Sequence, residues 1–362
     1  MNTTRSKFSD NLRIIWAIAA KDIVDALKNK AILSTILSAL FLMVFYKVVP
    51  ALSNGADPPE LAVYDAGNSS LMAQLESSDQ FHMQEMASQQ EMEHHLGLQS
   101  SQVLGLTLPP DFDLIAETGV QLELDGYMDH WVSDDQVSEM RSFFEEQLAD
   151  LVGKPVRIVV ESDTIYTRLE GWHPYMASLA LTMILVAFGL AITPHLMLEE
   201  KRTKTLDALL VSPATAGQVI LGKATAGLFY CLVGAGVVLV FNAALIIHWQ
   251  VAIVAAICGS LFALASGLLL GSLIEVRQQI NTWMIILIQP LLIPAVLPSG
   301  LLPDKIEKVL SMIPTVTLAR TARLACVDSV SLAQFGLPLA YVLGCAALVL
   351  ASVAWRVRRS DH

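Results

Sequence analysis

The order of apolar and polar stretches constrains this chain more than any other feature. One apolar run comes first at residues 31–49, and residues 50–174 are then polar and acidic. Five further apolar runs follow at 175–197, 224–247, 251–274, 282–297 and 335–354. A bilayer core about 30 Å thick demands ~20 apolar residues of a helix, and most of these runs reach that length. The sequence therefore predicts an α-helical membrane protein of six transmembrane helices, with an extracytoplasmic α/β domain inserted after the first.

Hydrophobic residues make up 54% of the chain, above the level of ordinary soluble domains. The net charge of -11 is divided unevenly. Residues 50–174 carry 23 Asp and Glu against 4 Lys and Arg, whereas the rest carries 11 acidic and 19 basic residues. Short cytoplasmic flanks of membrane helices accumulate Lys and Arg. Arg5, Lys7, Arg13, Lys21, Lys28 and Lys30 precede the first run. Lys201, Arg202, Lys204 and Lys223 fall between the second and third, and Arg356, Arg358 and Arg359 end the chain. With six spans these groups share one side, which places both termini in the cytoplasm and residues 50–174 outside. Loop 298–334 runs against the bias with Lys305, Lys308, Arg320 and Arg323, although Asp304, Glu307 and Asp328 lie among them.

The long polar start and the lack of a small-residue cleavage site argue for a retained anchor, not a signal peptide. Within residues 1–30, Phe8 to Lys30 reads as an amphipathic helix with Leu12, Ile15, Trp16, Ala19, Ile23 and Leu27 on one face. Such a helix suits the interface of an anionic membrane.

In the insertion, strands are predicted at 61–65, 81–86, 103–108, 120–124 and 156–161, with helices at 69–76, 89–96 and 134–151. Ser133 has the side chain and position of an N-cap. His82, His94, His95 and His130 lack zinc-ligand spacing, and the many carboxylates read as solvated surface. The stretch Gly217 to Lys223 fits G-x-x-x-x-G-K, but Ala224 follows where a phosphate loop needs a hydroxyl. No ATPase, nucleophile or metal-hydrolase motif is present, so no covalent chemistry and no bound cofactor are expected of this chain.

Residues 198–223 form a cytoplasmic segment. Its charged turn, with Glu199, Glu200 and Arg202, leads into a short helix whose apolar face holds Leu206, Leu209 and Leu210, closed by Pro213. That face needs a partner in water. The run from Thr205 to Ser212 and Pro213, the Leu221-Gly222-Lys223 that follows, Lys21-Asp22 with Lys28 before the first run, the Leu108-Pro109-Pro110-Asp111-Phe112 stretch and Ser311-Met312-Ile313-Pro314 together resemble ABC-2 type permeases, the membrane subunits of a class of ABC exporters. Where that family usually has Gly-Thr, this chain has Lys204-Thr205, which alters the turn ahead of the helix.

The resemblance implies a permease that borrows ATP and Mg hydrolysis from separate cytosolic ABC ATPase subunits. Glu199 to Ser212 would be the coupling element, and the helix bearing Trp16, Lys21, Asp22 and Lys28 the connecting helix. It also implies a dimer with a second copy or a sister permease, a bacterial inner membrane, and loop 298–334 dipping back into the bilayer. Membrane lipids are the expected surroundings, a periplasmic or outer-envelope protein is a candidate partner for the acidic domain, and nucleic acid is not expected. Two other classes fit the same layout: a membrane-anchored sensor or scaffold, and an ATP-independent transporter, although inverted repeats and mid-membrane ionisable groups are not evident.

Ala255, Gly259, Ala263, Gly267 and Gly271 recur every four residues, a small-residue face that lets another helix approach closely. Pro290, Pro294 and Pro298 predict a kinked or broken fifth span.

Overall fold

A computed structural model describes residues 2–30, 32–38, 40–41, 44–45, 58–78, 80–98, 102–118, 121–160, 171–203, 215–274, 277–297 and 303–360. The polar stretch folds because it alternates short apolar strands with helices that bury one face. Strands β1 (Glu60–Asp65), β2 (His82–Met86), β3 (Val103–Leu108), β4 (Leu122–Tyr127) and β5 (Val156–Val160) form one sheet in the order β2-β1-β3-β4-β5. Only the β3–β4 pairing is antiparallel. β3 lies at the centre and is buried on both faces, as its near-continuous apolar sequence requires.

One face of the sheet, with Leu61, Val63, Leu104, Leu106 and Leu108, packs on the helix Asp134–Val152 through Met140, Phe144 and Leu148 at four-residue spacing. On the other, Ala62 and Val103 meet Met92 and Leu96 of the helix Gln89–Leu96. That helix comes close because Gly105 has no side chain: a Cβ there would lie 2.8 Å from Leu96 Cδ1. Asp65 and Asp113 do local work, accepting the backbone N–H groups of Gly67 and Ser69, and of Ser70, respectively. Ser133 caps its helix in a reciprocal pair with Gln136, and Gly153 closes it in the left-handed conformation at φ 74°. Ser133→Ala should loosen that first turn by ~1 kcal/mol, read as faster amide hydrogen exchange at residues 134–138.

The sequence reading of 89–96 and 103–108 coincides with the observed elements, but a helix at Phe112–Thr118 was not anticipated. It is too short for a helical period to emerge, and buries only Phe112 deeply.

The remaining chain is helical. Helices α1 (Asn2–Lys28), α6 (Trp172–Thr203), α7 (Ala216–Phe241), α8 (Trp249–Leu273), α9 (Arg277–Val296), α10 (Asp304–Leu310), α11 (Pro314–Arg323) and α12 (Leu332–Ser360) are numbered with the helices of the sheet region, α2 (Leu71–Glu76), α3 (Gln89–Leu96), α4 (Phe112–Thr118) and α5 (Asp134–Val152). Among the described residues, four helices are long and apolar enough to cross a membrane: Trp172–Leu198, Gly217–Phe241, Trp249–Leu273 and Leu332–Arg356. The apolar helix Thr282–Val296 is shorter, and the first apolar run is helical at its described positions between 30 and 45.

Two sequence expectations bear on helix limits. The third span was placed at 224–247, but α7 starts at Ala216 behind a Thr215–Gln218 capping box and stops at Phe241, where Asn242 takes the C-cap. Lys223 is the reason for the misplacement: its charge reads as a boundary, yet it is satisfied inside the fold. The fifth span, expected to be kinked or broken, runs as one continuous helix, α9, through Pro290 and Pro294. Each proline deletes one backbone donor, a loss that membrane helices tolerate when neighbours supply polar partners. The carbonyls left without an i+4 donor are those of Ile286 and Pro290; the Thr315 hydroxyl donates to the neighbouring Leu291 carbonyl and so joins α11 to this stretch. Pro298 lies outside the described residues.

Candidate functional site

Function-bearing features concentrate at the two ends of the helical bundle. Along α6, Ala177 at one end and Leu196 at the other are separated by about 29 Å at 1.5 Å per residue, close to the thickness of a bilayer core.

At the Leu196 end, α6 runs out at Thr203 and α7 begins at Ala216. Glu199, Glu200 and Arg202 lie in the last turns of α6. Thr205, Leu206, Leu209, Leu210, Ser212 and Pro213 lie outside the described residues. At the base of this connection, the Lys223 ammonium donates to the Leu196 carbonyl at 2.7 Å and pairs with Asp22 Oδ2 at 3.2 Å. Both side chains are almost fully buried.

Asp22 belongs to α1, which runs alongside α7 in the same direction. The Gln218 side-chain amide donates to Asn11 Oδ1 at 2.7 Å, Gly222 faces Ile18, and the Tyr230 hydroxyl donates to the Ile23 carbonyl at 2.5 Å. A Cβ on Gly222 would come within 2.6 Å of Ile18 Cγ2, so glycine is what lets the two helices touch. The apolar face of α1 read from the sequence is therefore rotated. Ala19, Asp22 and Ala26 face the bundle, while Leu12, Trp16 and Leu27 point outward. Lys21 and Lys28 are exposed, and Lys28 sits 3.3 Å from Asp25. The buried stripe was legible as a three- and four-residue spacing of Ile15, Ile18, Ala19, Asp22 and Ala26. A charged residue in its centre masks it from a hydrophobicity count.

The Gly217 to Lys223 stretch forms the first two turns of α7 and not a phosphate loop, and the Gln218 N–H is taken by the Thr215 hydroxyl.

The small face of α8 meets two elements. A Cβ on Gly267 would lie 1.9 Å from the Gly189 carbonyl oxygen, and one on Gly271 would meet Met197 and Pro194, all on α6. Ala263 packs against Gly189, and Ala255 and Ala263 are buried in the main cluster of the bundle. A Cβ on Gly259 would meet Leu318 of α11 and Leu185. Gly259 is ten residues into α8, so α11 penetrates about 15 Å along it. Arg323, at the end of α11, is buried, donates to Ser178 Oγ at 3.1 Å and lies 4.6 Å above the Tyr175 ring. Arg320 pairs with Glu307 of α10. Two of the four basic residues that run against the charge bias thus have internal partners.

At the Ala177 end the sheet region docks on the bundle. Trp131 packs with Ala177, Leu245 and Cys326, its ring centroid is 4.2 Å from that of His173, and His130 Nε2 approaches the Leu245 carbonyl at 3.4 Å. Beside them Asp129 is buried, and burial pushes its carboxyl up to about 7. The Trp131 indole N–H favours the ionised form slightly, although neither it nor Asp129 Oδ1 completes a hydrogen bond of normal geometry. Nothing in the sequence separated Asp129 from the other carboxylates; an acid followed directly by His130 and Trp131 was the available signal. Among the described residues no group of three or more His, Cys, Asp or Glu is gathered as for a metal ion.

The profile of the ABC-2 family transporter proteins matches residues 30–355. The chain belongs to the ABC-2 transporter family. The ABC-2 match covers the sheet region and the helices from α6 to residue 355 of α12, leaving α1 ahead of it. Family and apolar helices together make this a multi-pass membrane protein and a transporter component. No curated protein matches the ABC-2 chain closely enough to add a substrate or a partner.

Proposed function

We propose that this ABC-2 protein is the permease subunit of an ATP-driven exporter, powered by separate cytosolic ABC ATPase subunits that bind the segment 199–213. The observation that carries the reading is the polarity of the fold. The sheet region docks at one end of the bundle, and the segment departs from the other, about 29 Å away. The first run and α9 complete six spans, both termini face the cytoplasm with the basic flanks, and the acidic α/β unit stands outside a bacterial inner membrane. Two permease copies, or this chain and a sister permease, enclose the pathway, with lipid around them and an envelope partner for the acidic unit. ATP and Mg belong to the ATPase, which pushes on Glu199 to Ser212 and biases the pathway by contacting that segment differently in its open and closed states.

Affinity isolation from the native membrane in mild detergent, followed by mass spectrometry, tests the assignment. A cytosolic ATPase should accompany the wild type and be lost from Leu209→Asp, which places a carboxylate on the apolar face while leaving membrane insertion intact. Wild-type protein recovered repeatedly without an ATPase would overturn the reading in favour of a sensor or an ATP-independent transporter.

A further inference from the structure

Buried ion pairs are weak devices for stability, because desolvation offsets most of their attraction; their best-attested use is to fix register between elements. The Asp22–Lys223 pair sits where register matters. Leu196 is on the helix entering the coupling segment, Lys223 on the helix leaving it, and Asp22 on α1. One ammonium group therefore ties three elements together at the base of the connection between α6 and α7. Neighbouring contacts hold the same alignment: Asn11 with Gln218, Ile18 against Gly222, and Ile23 with Tyr230. Apolar packing alone would let two helices slide or rotate by small steps, whereas a buried ammonium has only one place where both its partners are met.

We propose that Asp22 and Lys223 are positioning residues for transport, a pin that makes α1 and the two ends of the coupling segment move as one body. This rests on the permease reading above. A push on residues 199–213 then displaces α6, α7 and α1 together, and α1 carries the displacement to the first span, which follows it directly in the chain. Without the pin, the segment can move while α1 stays behind. ATP hydrolysis then continues without driving the pathway.

The test uses the complex in inverted membrane vesicles, with Asn11→Cys and Gln218→Cys as a reporter of α1 against α7. Crosslinking is measured with and without ATP and vanadate. Lys223→Met alone leaves Asp22 buried without its cation and is prone to misfold. The decisive variant is therefore Asp22→Asn with Lys223→Met, which keeps the volume and removes both charges, and Asp22→Lys with Lys223→Asp serves as the rescue. In the pinned protein the crosslinking rate should be the same in both nucleotide conditions. The neutral pair should acquire a nucleotide-dependent rate while retaining its ATPase, and the charge swap should abolish that dependence again. A neutral pair that behaves as the pinned protein does, with its ATPase bound, overturns the pin and leaves the permease reading standing. A pinned protein whose crosslinking itself shifts with nucleotide also overturns it. Absence of any co-purifying ATPase overturns the permease reading, and the pin falls with it.

Discussion

Adding one methyl group at Gly267 should prevent the bundle from assembling. The Cβ of Gly267→Ala would lie 1.9 Å from the Gly189 carbonyl oxygen, and that neighbour is backbone. No rotamer change relieves the clash, so α6 and α8 must separate along a face on which Gly189, Ala263 and Gly271 are in contact as well. Overpacking against mobile side chains usually costs about 1–3 kcal/mol. Here a main-chain carbonyl leaves no cheaper path, and a loss of about 4 kcal/mol or more is expected, within the rare class of severe single substitutions. The measurement is the yield of folded protein in the membrane and its thermal midpoint in detergent. Gly259→Ala should be milder, because it meets Leu318 Cδ2 and Leu185 Cδ1, the ends of side chains that can turn aside. Gly236→Ala meets nothing within 4 Å and should be tolerated. If all three behaved alike, close approach would not be the reason for the small face.

Contrasts of this kind mark what a sequence can carry. The four-residue spacing of Ala255, Gly259, Ala263, Gly267 and Gly271 announces a close approach, but not that Gly189 and Leu318 are the residues approached. Long apolar runs announce themselves through the thickness of a membrane, and strands 103–108 and 156–160 through their short apolar cores. What escapes is whatever depends on a partner distant in the chain. Lys223 looked like a boundary because charge beside an apolar run normally faces water; 201 residues separate it from the carboxylate that allows it inside. The outward rotation of Trp16 has the same origin, since Asp22 counts as polar in any periodicity yet takes the buried side. Pro290 and Pro294 looked like a break because each removes a backbone donor, yet α9 runs through both, with Thr315 of another element bonded to the Leu291 carbonyl beside them. Asp129 is the fourth case: it is buried beside Trp131, whose own neighbours Leu245 and Cys326 lie far along the chain.

That environment makes Asp129 the residue through which pH should act on the joint between the sheet region and the bundle. Burial raises its carboxyl from 3.8 to about 7, so the folded protein prefers the neutral acid. Unfolded, the group ionises near its ordinary value. Stability conferred by the neutral form is therefore fully present below about pH 4, falls as pH rises toward 7, and is lost above the folded value. The full span corresponds to ~4 kcal/mol, the upper limit for a site that does not relax or admit water. Asp129→Asn replaces the neutral acid with a neutral group of the same shape and has no proton to lose. Its thermal midpoint should match that of the wild type near pH 3.5, exceed it progressively as pH rises, and hold a constant advantage above pH 7.5. His130 and His173 are present in both proteins, so the difference between the two midpoints isolates the carboxyl. A difference that stays flat from pH 4.5 to 8.5 would mean that Asp129 is hydrated in the folded protein and that the joint is open to water. A difference that falls with rising pH would mean that an undetected cation holds the ionised form, reversing the electrostatics of the whole contact.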